Sequence, residues 1–225
     1  ELLDQMIACN TAIAQEGMHG DYGANIGKGI AIRKDLPSLL KAYAAAGSDA
    51  RMNGCELPVV INSGSGNQGL TVSVPLIIYA EREHLDKEKL YRALVISNLT
   101  AIHLKTEIGR LSAFCGAVSA GAACGAGLAY LKDASEEVMN HTIVNALAIT
   151  SGIICDGAKA SCAAKIAVSV EAGILGYDMY MNGQQFYGGD GIISKGIENT
   201  IHNIGVLGSQ GMASTDQEII KIMCE

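Results

Sequence analysis

Apolar side chains recur at helical spacing along most of this chain. Leu2, Leu3, Met6, Ile7, Ile13 and Ala14 mark a first helix from Leu2 to Gln15. A second runs from Arg33 to Met52, with Ala42 to Ala46 as strong helix formers. Leu70 to Tyr79 continues the pattern. Asp86 to Ala113 gives a long helix carrying Leu90, Ala93, Leu94, Leu99 and Ile102 on overlapping faces. From Ala117 to Leu131 almost every residue is Ala, Gly, Cys or Val, a composition that lets neighbouring helices approach closely and suits a buried central position. Glu136 to Ile154 and Ala163 to Tyr180 form two more helices, and Ile197 to Leu207 a short one. Ser214-Thr215-Asp216 reads as the N-cap of a last helix, with Gln217 and Glu218 in its first turn.

The breaks between these runs carry turn chemistry. Gly17 to Gly29 holds five glycines and reads as a loop, and Asn53-Gly54 ends the second helix. Leu57-Pro58-Val59-Val60-Ile61 is the one β-branched run, either a short strand or an extended lead-in. Asn182 to Ile193 is a glycine-rich loop that closes at most a short hairpin. There is no fixed-period repeat and no low-complexity linker. The expected fold is mainly α: one compact helical domain over 1–225 with glycine-rich loops and at most a short β-hairpin.

Composition narrows the function. With 49% hydrophobic and 17% charged residues, no Trp and two Phe, the core is aliphatic and the chain globular. A net charge of −7 argues against nucleic acid as the main partner, which requires a basic footprint. No apolar run reaches the roughly 18 to 20 residues that span a membrane, and no signal peptide is visible. These features give a cytoplasmic expectation, under which the seven cysteines are reduced thiols or metal ligands. The chain begins at Glu1 inside a helical pattern, without an initiator Met.

Chemistry concentrates in Cys155-Asp156-Gly157-Ala158-Lys159-Ala160-Ser161-Cys162, two thiols flanking a charged turn between apolar helices. Cys115, like these two, sits at a turn beside glycine, whereas Cys124 reads as packing. Three thiolates from separate turns fit a [4Fe–4S] cluster with one iron lacking a cysteine ligand; zinc is the competing metal, though a structural site wants four ligands. The loop Asn62-Ser63-Gly64-Ser65-Gly66-Asn67-Gln68-Gly69 opens a helix and offers backbone N–H groups and side-chain amides, a seat for an anion such as a carboxylate. It is neither a Walker A loop nor a dinucleotide fingerprint. His103 reads as an ordinary helix histidine or as a catalytic one.

The stretches Ser63 to Gly69, Gly109-Arg110-Leu111-Ser112-Ala113-Phe114-Cys115-Gly116-Ala117, Ile154 to Ala163, and Gly211-Met212-Ala213-Ser214-Thr215-Asp216 resemble the L-cysteine desulfidase family. That family is related to the α-domain of iron–sulfur L-serine dehydratases, and the resemblance spans roughly Asn62 to the C-terminus. It implies a [4Fe–4S] cluster held by Cys115, Cys155 and Cys162, and conversion of L-cysteine to pyruvate, ammonia and sulfide. Family members are longer, so the chain is expected to be the C-terminal, cluster-bearing portion of a longer one. In the related dehydratases a cysteine near the C-terminus caps the fourth iron, which makes Cys224 a candidate ligand beside its plain reading as a thiol on a fraying last turn.

On this resemblance the small amino-acid substrate is L-cysteine, or L-serine with the same cluster. Candidate bases or proton donors are Lys159, His103 and Lys105, and Lys159 has a second reading as the partner of Asp156. Ser63, Gly64, Ser65, Gly66, Asn67, Gln68 and Gly69 are the candidate substrate-binding residues. A non-catalytic helical domain with structural cysteines is the reading from a different class. The small-residue helices are equally suited to facing a second copy, so a homodimer is one expectation.

Overall fold

A computed structural model describes all 225 residues. They form ten α-helices and no sheet: α1 (Leu2–His19), α2 (Ile26–Ala31), α3 (Leu36–Met52), α4 (Gly66–Arg82), α5 (Lys87–Ile108), α6 (Gly116–Leu131), α7 (Glu136–Thr150), α8 (Cys162–Met181), α9 (Ile197–Val206) and α10 (Ala213–Cys224). Helix starts are set locally. Asp35, Ser65, Asp86 and Ser135 each accept the N–H of the residue three positions on, at 2.9, 3.3, 2.8 and 3.4 Å. Gly109, at φ +91°, stops α5 with a backbone conformation that other residues rarely adopt.

Helix α6 lies at the centre, packed on α4, α5, α7 and α8. All of it except Gly116 and Tyr130 is buried, as an all-apolar helix must be. Its glycines permit the approach. Gly125 lies back to back with Gly173 of α8, where an added Cβ would come within 2.8 Å of the Gly173 Cα, and a Cβ on Gly121 would overlap the Ser169 carbonyl. The small-residue face is therefore occupied inside this chain and is not left free for a second copy. Leu70, Leu76, Leu94, Leu104, Phe114 and Ile166 fill the surrounding core.

Several expectations change. The glycine-rich Gly17 to Gly29 segment is not a plain loop: it contains the end of α1 and most of α2. There Gly17 and Gly27 lie against the backbone of α3, where any Cβ would collide with Ala46 or Ala42. Leu57 to Ile61 forms no strand, and the Asn10 side chain takes both backbone hydrogen bonds of Val60. Val60 N–H donates to Asn10 Oδ1 at 2.8 Å, and Asn10 Nδ2 donates to the Val60 carbonyl at 3.2 Å. The loop from Asn182 to Ile193 folds by turns, with Gly189 N–H donating to the Ile193 carbonyl at 2.9 Å, and forms no hairpin. Ser214-Thr215-Asp216 does not cap α10. That helix already starts at Ala213, continuing from a π-helical turn over Leu207–Gly211, and Asp216 N–H donates to Met212 at 2.9 Å.

Candidate active site around three cysteines

Cys115 and Cys155 are forty residues apart, and an isolated antiparallel bridge between Phe114 and Ile154 joins them. Cys155 N–H donates to the Ala113 carbonyl at 2.6 Å, and Cys115 N–H donates to the Ile153 carbonyl at 3.2 Å. Fully buried Phe114 anchors this pairing in the core. Cys115 is the N-cap residue of α6, and Cys162 opens α8. The turn between Cys155 and Cys162 wraps around the Cys162 sulfur, which accepts the Lys159 N–H at 3.5 Å and lies 3.7 Å from the Gly157 carbonyl. Gly157, at φ +90°, makes that turn possible. Two of the three thiols thus stand at helix N-termini. All seven cysteines are free.

The three thiols line one cavity of about 290 Å³. Ser63, Gly64, Ser65, Asn67 and Gln68, from the loop that opens α4, form a second wall. Arg51, Lys105, Arg110 and Lys165 also line it, and no Asp or Glu does. The cavity is thus strongly cationic, a setting for anionic groups. Burial pushes the Lys105 ammonium below its ordinary pKa and pushes the Cys115 thiol up. Lys165 is paired with Asp156 just outside and holds that carboxyl below the usual range. No three His, Cys, Asp or Glu side chains converge closely enough to share a single metal ion.

The sequence-derived candidates fall in different places. Lys105 lines the cavity, as do five of the seven loop residues. Gly66 does not; it lies beneath the Arg51 guanidinium, and Gly69 lies against the Val60 carbonyl. His103 is on the outer side of α5, half-exposed, with Nε2 2.8 Å from Glu198 Oε2. Lys159 is exposed on the turn and is not a lining residue; the partner of Asp156 is Lys165. Cys124 is inside α6, its thiol pushed up by complete burial, and Cys224 is exposed on the last turn of α10.

Arg51, Arg110 and Lys165 line the cavity without belonging to the sequence-derived candidates. A signal for Lys165 existed, because it is three residues after Cys162 and shares its helix face. Arg51 also carried one: it is a cation in a helix whose positions three and four residues before it, Ser48 and Gly47, offer no carboxylate.

A family model described as the serine dehydratase alpha chain matches residues 1–221. Among curated proteins, a UPF0597 protein of Desulfitobacterium hafniense is 64% identical over 225 residues, covering 99% of this chain and 52% of the relative. UPF0597 proteins of Lachnoclostridium phytofermentans and Finegoldia magna are 53% and 51% identical, over 99% and 100% of this chain and 54% of each relative. The chain spans about half the length of the curated relatives it matches. No solved structure matches it.

Proposed function

The chain belongs to the serine dehydratase alpha-chain family, and from that premise we propose that its cysteine-lined cavity is the active site of an iron–sulfur lyase. The reaction is elimination of sulfide from L-cysteine to give pyruvate and ammonia, and it is proposed for the whole protein, of which this chain forms the cluster-bearing part. The observation that carries the reading is one cationic cavity lined by three thiols from three separate segments and by a helix-opening polar loop.

The donor set fits a [4Fe–4S] cluster. Three thiols on one cavity are one ligand short of the four that a structural zinc site takes. Cys115, Cys155 and Cys162 would hold the cluster, which when bound supplies a Lewis-acidic iron without a cysteine ligand. The protein's own groups do the rest. The cationic walls hold the substrate carboxylate and exclude competing cations. Lys105, desolvated and without a carboxylate partner in the cavity, takes the Cα proton at Nζ. Loss of that proton and of sulfide leaves 2-aminoacrylate, which water hydrolyses to pyruvate and ammonia.

L-Serine dehydration is the second reading, favoured by the description of the matching family model. Anaerobic purification of the full-length protein, followed by an absorption spectrum, iron and sulfide analysis, and assays with both amino acids, tests the two together. A brown protein that releases sulfide from L-cysteine supports the first. Turnover of L-serine alone supports the second. A protein that stays colourless and iron-free after anaerobic reconstitution leaves a helical domain with structural cysteines.

A further inference from the structure

Arg51 is in the last turn of α3, half-buried, and makes no ion pair with any carboxylate. Its guanidinium lies against Gly66, the first residue of α4, where an added Cβ would come within 2.8 Å of Cζ. Nη1 donates to Asn67 Oδ1 at 3.3 Å and makes a long contact of 3.8 Å to Met52 Sδ, so the rest of its donor fork has no protein acceptor. Asn67 is itself held: the same Oδ1 accepts the Ser48 hydroxyl at 3.2 Å, and its nitrogen approaches Met52 Sδ at 3.5 Å. One residue on, the Gln68 amide lies across Gly116, where a Cβ would meet its nitrogen at 2.5 Å, beside Cys115. Gln68 is 6% exposed, and its Oε1 has no donor. Of these residues Arg51, Asn67, Gln68, Cys115 and Gly116 line the cysteine cavity.

The first turn of α4 therefore has the unpaired Arg51 cation of α3 against one side and carries, at Gln68, an acceptor lacking a donor. We propose that this pair recognises an α-amino acid as a zwitterion: Arg51 binds the α-carboxylate, Gln68 Oε1 accepts from the α-ammonium, and the side chain is directed at the cysteines. Asn67, buried and already bonded, is a positioning residue for Arg51. The inference rests on the lyase reading and adds the groups that select the substrate class. A planar fork suits a carboxylate better than a point charge does, so lysine is not an equivalent of Arg51.

The test uses the full-length protein and three unreactive probes in calorimetric titrations: L-alanine, ethylamine (no carboxylate) and propionate (no ammonium). Arg51→Met should weaken L-alanine and propionate by about tenfold or more and leave ethylamine unchanged. Gln68→Met should weaken L-alanine and ethylamine and spare propionate. Arg51→Lys, which keeps the charge and the fold, should recover only part of the affinity. Asn67→Ala should raise KM without lowering kcat, and adding it to Arg51→Met should cost nothing further. Wild-type protein that fails to bind L-alanine, or a folded Arg51→Met protein that binds it within twofold of wild type, overturns the proposal. Arg51-dependent L-alanine binding with turnover of neither cysteine nor serine upholds the zwitterion seat and rejects the lyase reading.

Discussion

Cys115 and Cys155 are held side by side by their backbones and not by their sulfurs: each N–H donates to the carbonyl two residues before the other cysteine, at 3.2 and 2.6 Å. The sulfurs are thus left free for a ligand, while the geometry that brings them together survives their replacement.

Cys155→Ser should therefore separate chemistry from folding. The half-buried thiol contributes little packing, so stability should change by no more than about 1 kcal/mol, with helicity retained. Iron and sulfide content should fall sharply after anaerobic reconstitution. A variant that keeps full iron content would remove Cys155 from the ligand set.

Lys105, His103 and Lys159 are distinguishable by kinetics. Lys105→Met should lower kcat by about 10²- to 10⁴-fold while iron content stays at the wild-type level. His103→Ala, which loses only an exposed pair with Glu198, and Lys159→Ala, on the outer turn, should leave kcat nearly unchanged. A large loss with Lys159→Ala and none with Lys105→Met would move the base to the turn.

These positions explain what could be read from the chain beforehand. Helices α3 to α8 were legible because their apolar spacing is dictated by one buried face or, in α6, by burial all round. Helix α2 was not, because glycine at a turn and glycine at a close helix contact look alike in sequence; Gly27 is the second kind. Cys155 and Cys162 are neighbours in sequence, and the Ser63 to Gln68 loop announces itself as a helix opening. Residues His103 and Lys105 are two apart on one helix and so point in different directions, and periodicity does not say which direction meets the cysteines. Arg51 reaches the cavity from the end of the preceding helix, a relation created only when α3 packs on α4.

The α6–α8 crossing gives a stability prediction. A methyl group at Gly121 would overlap the Ser169 carbonyl, and backbone cannot move aside as a side-chain tip can. Gly121→Ala should cost about 1–3 kcal/mol, at about 2–4 °C in Tm per kcal/mol for a chain of this size. Gly29→Ala is the control: its Cβ meets nothing within 4 Å in a helix, so it should be neutral or stabilising. Equal melting shifts for the two would mean that α6 and α8 are free to separate.

Asp49 predicts a pH dependence of folding. It is 1% exposed on α3; Oδ2 accepts the Gly27 N–H of α2 at 2.9 Å, and Oδ1 has no donor. Burial outweighs the backbone N–H groups of Gly27 and Ile26 and the Lys28 charge, raising its pKa above the ordinary 3.8. The folded state therefore holds this proton more tightly than the unfolded chain does. As pH rises from 3.8 to the raised folded value, the unfolded chain ionises first and Asp49's contribution to stability declines; above that value it is level. Asn at this position keeps an acceptor for Gly27 N–H and places its nitrogen where the donorless oxygen was, with nothing to ionise. Asp49→Asn should accordingly gain in Tm relative to wild type as pH rises through that window, and should be at least as stable near pH 7. The comparison cancels every other acid group, since both proteins share them. A variant that instead loses stability relative to wild type as pH rises would show that the charged carboxylate is what holds the start of α2.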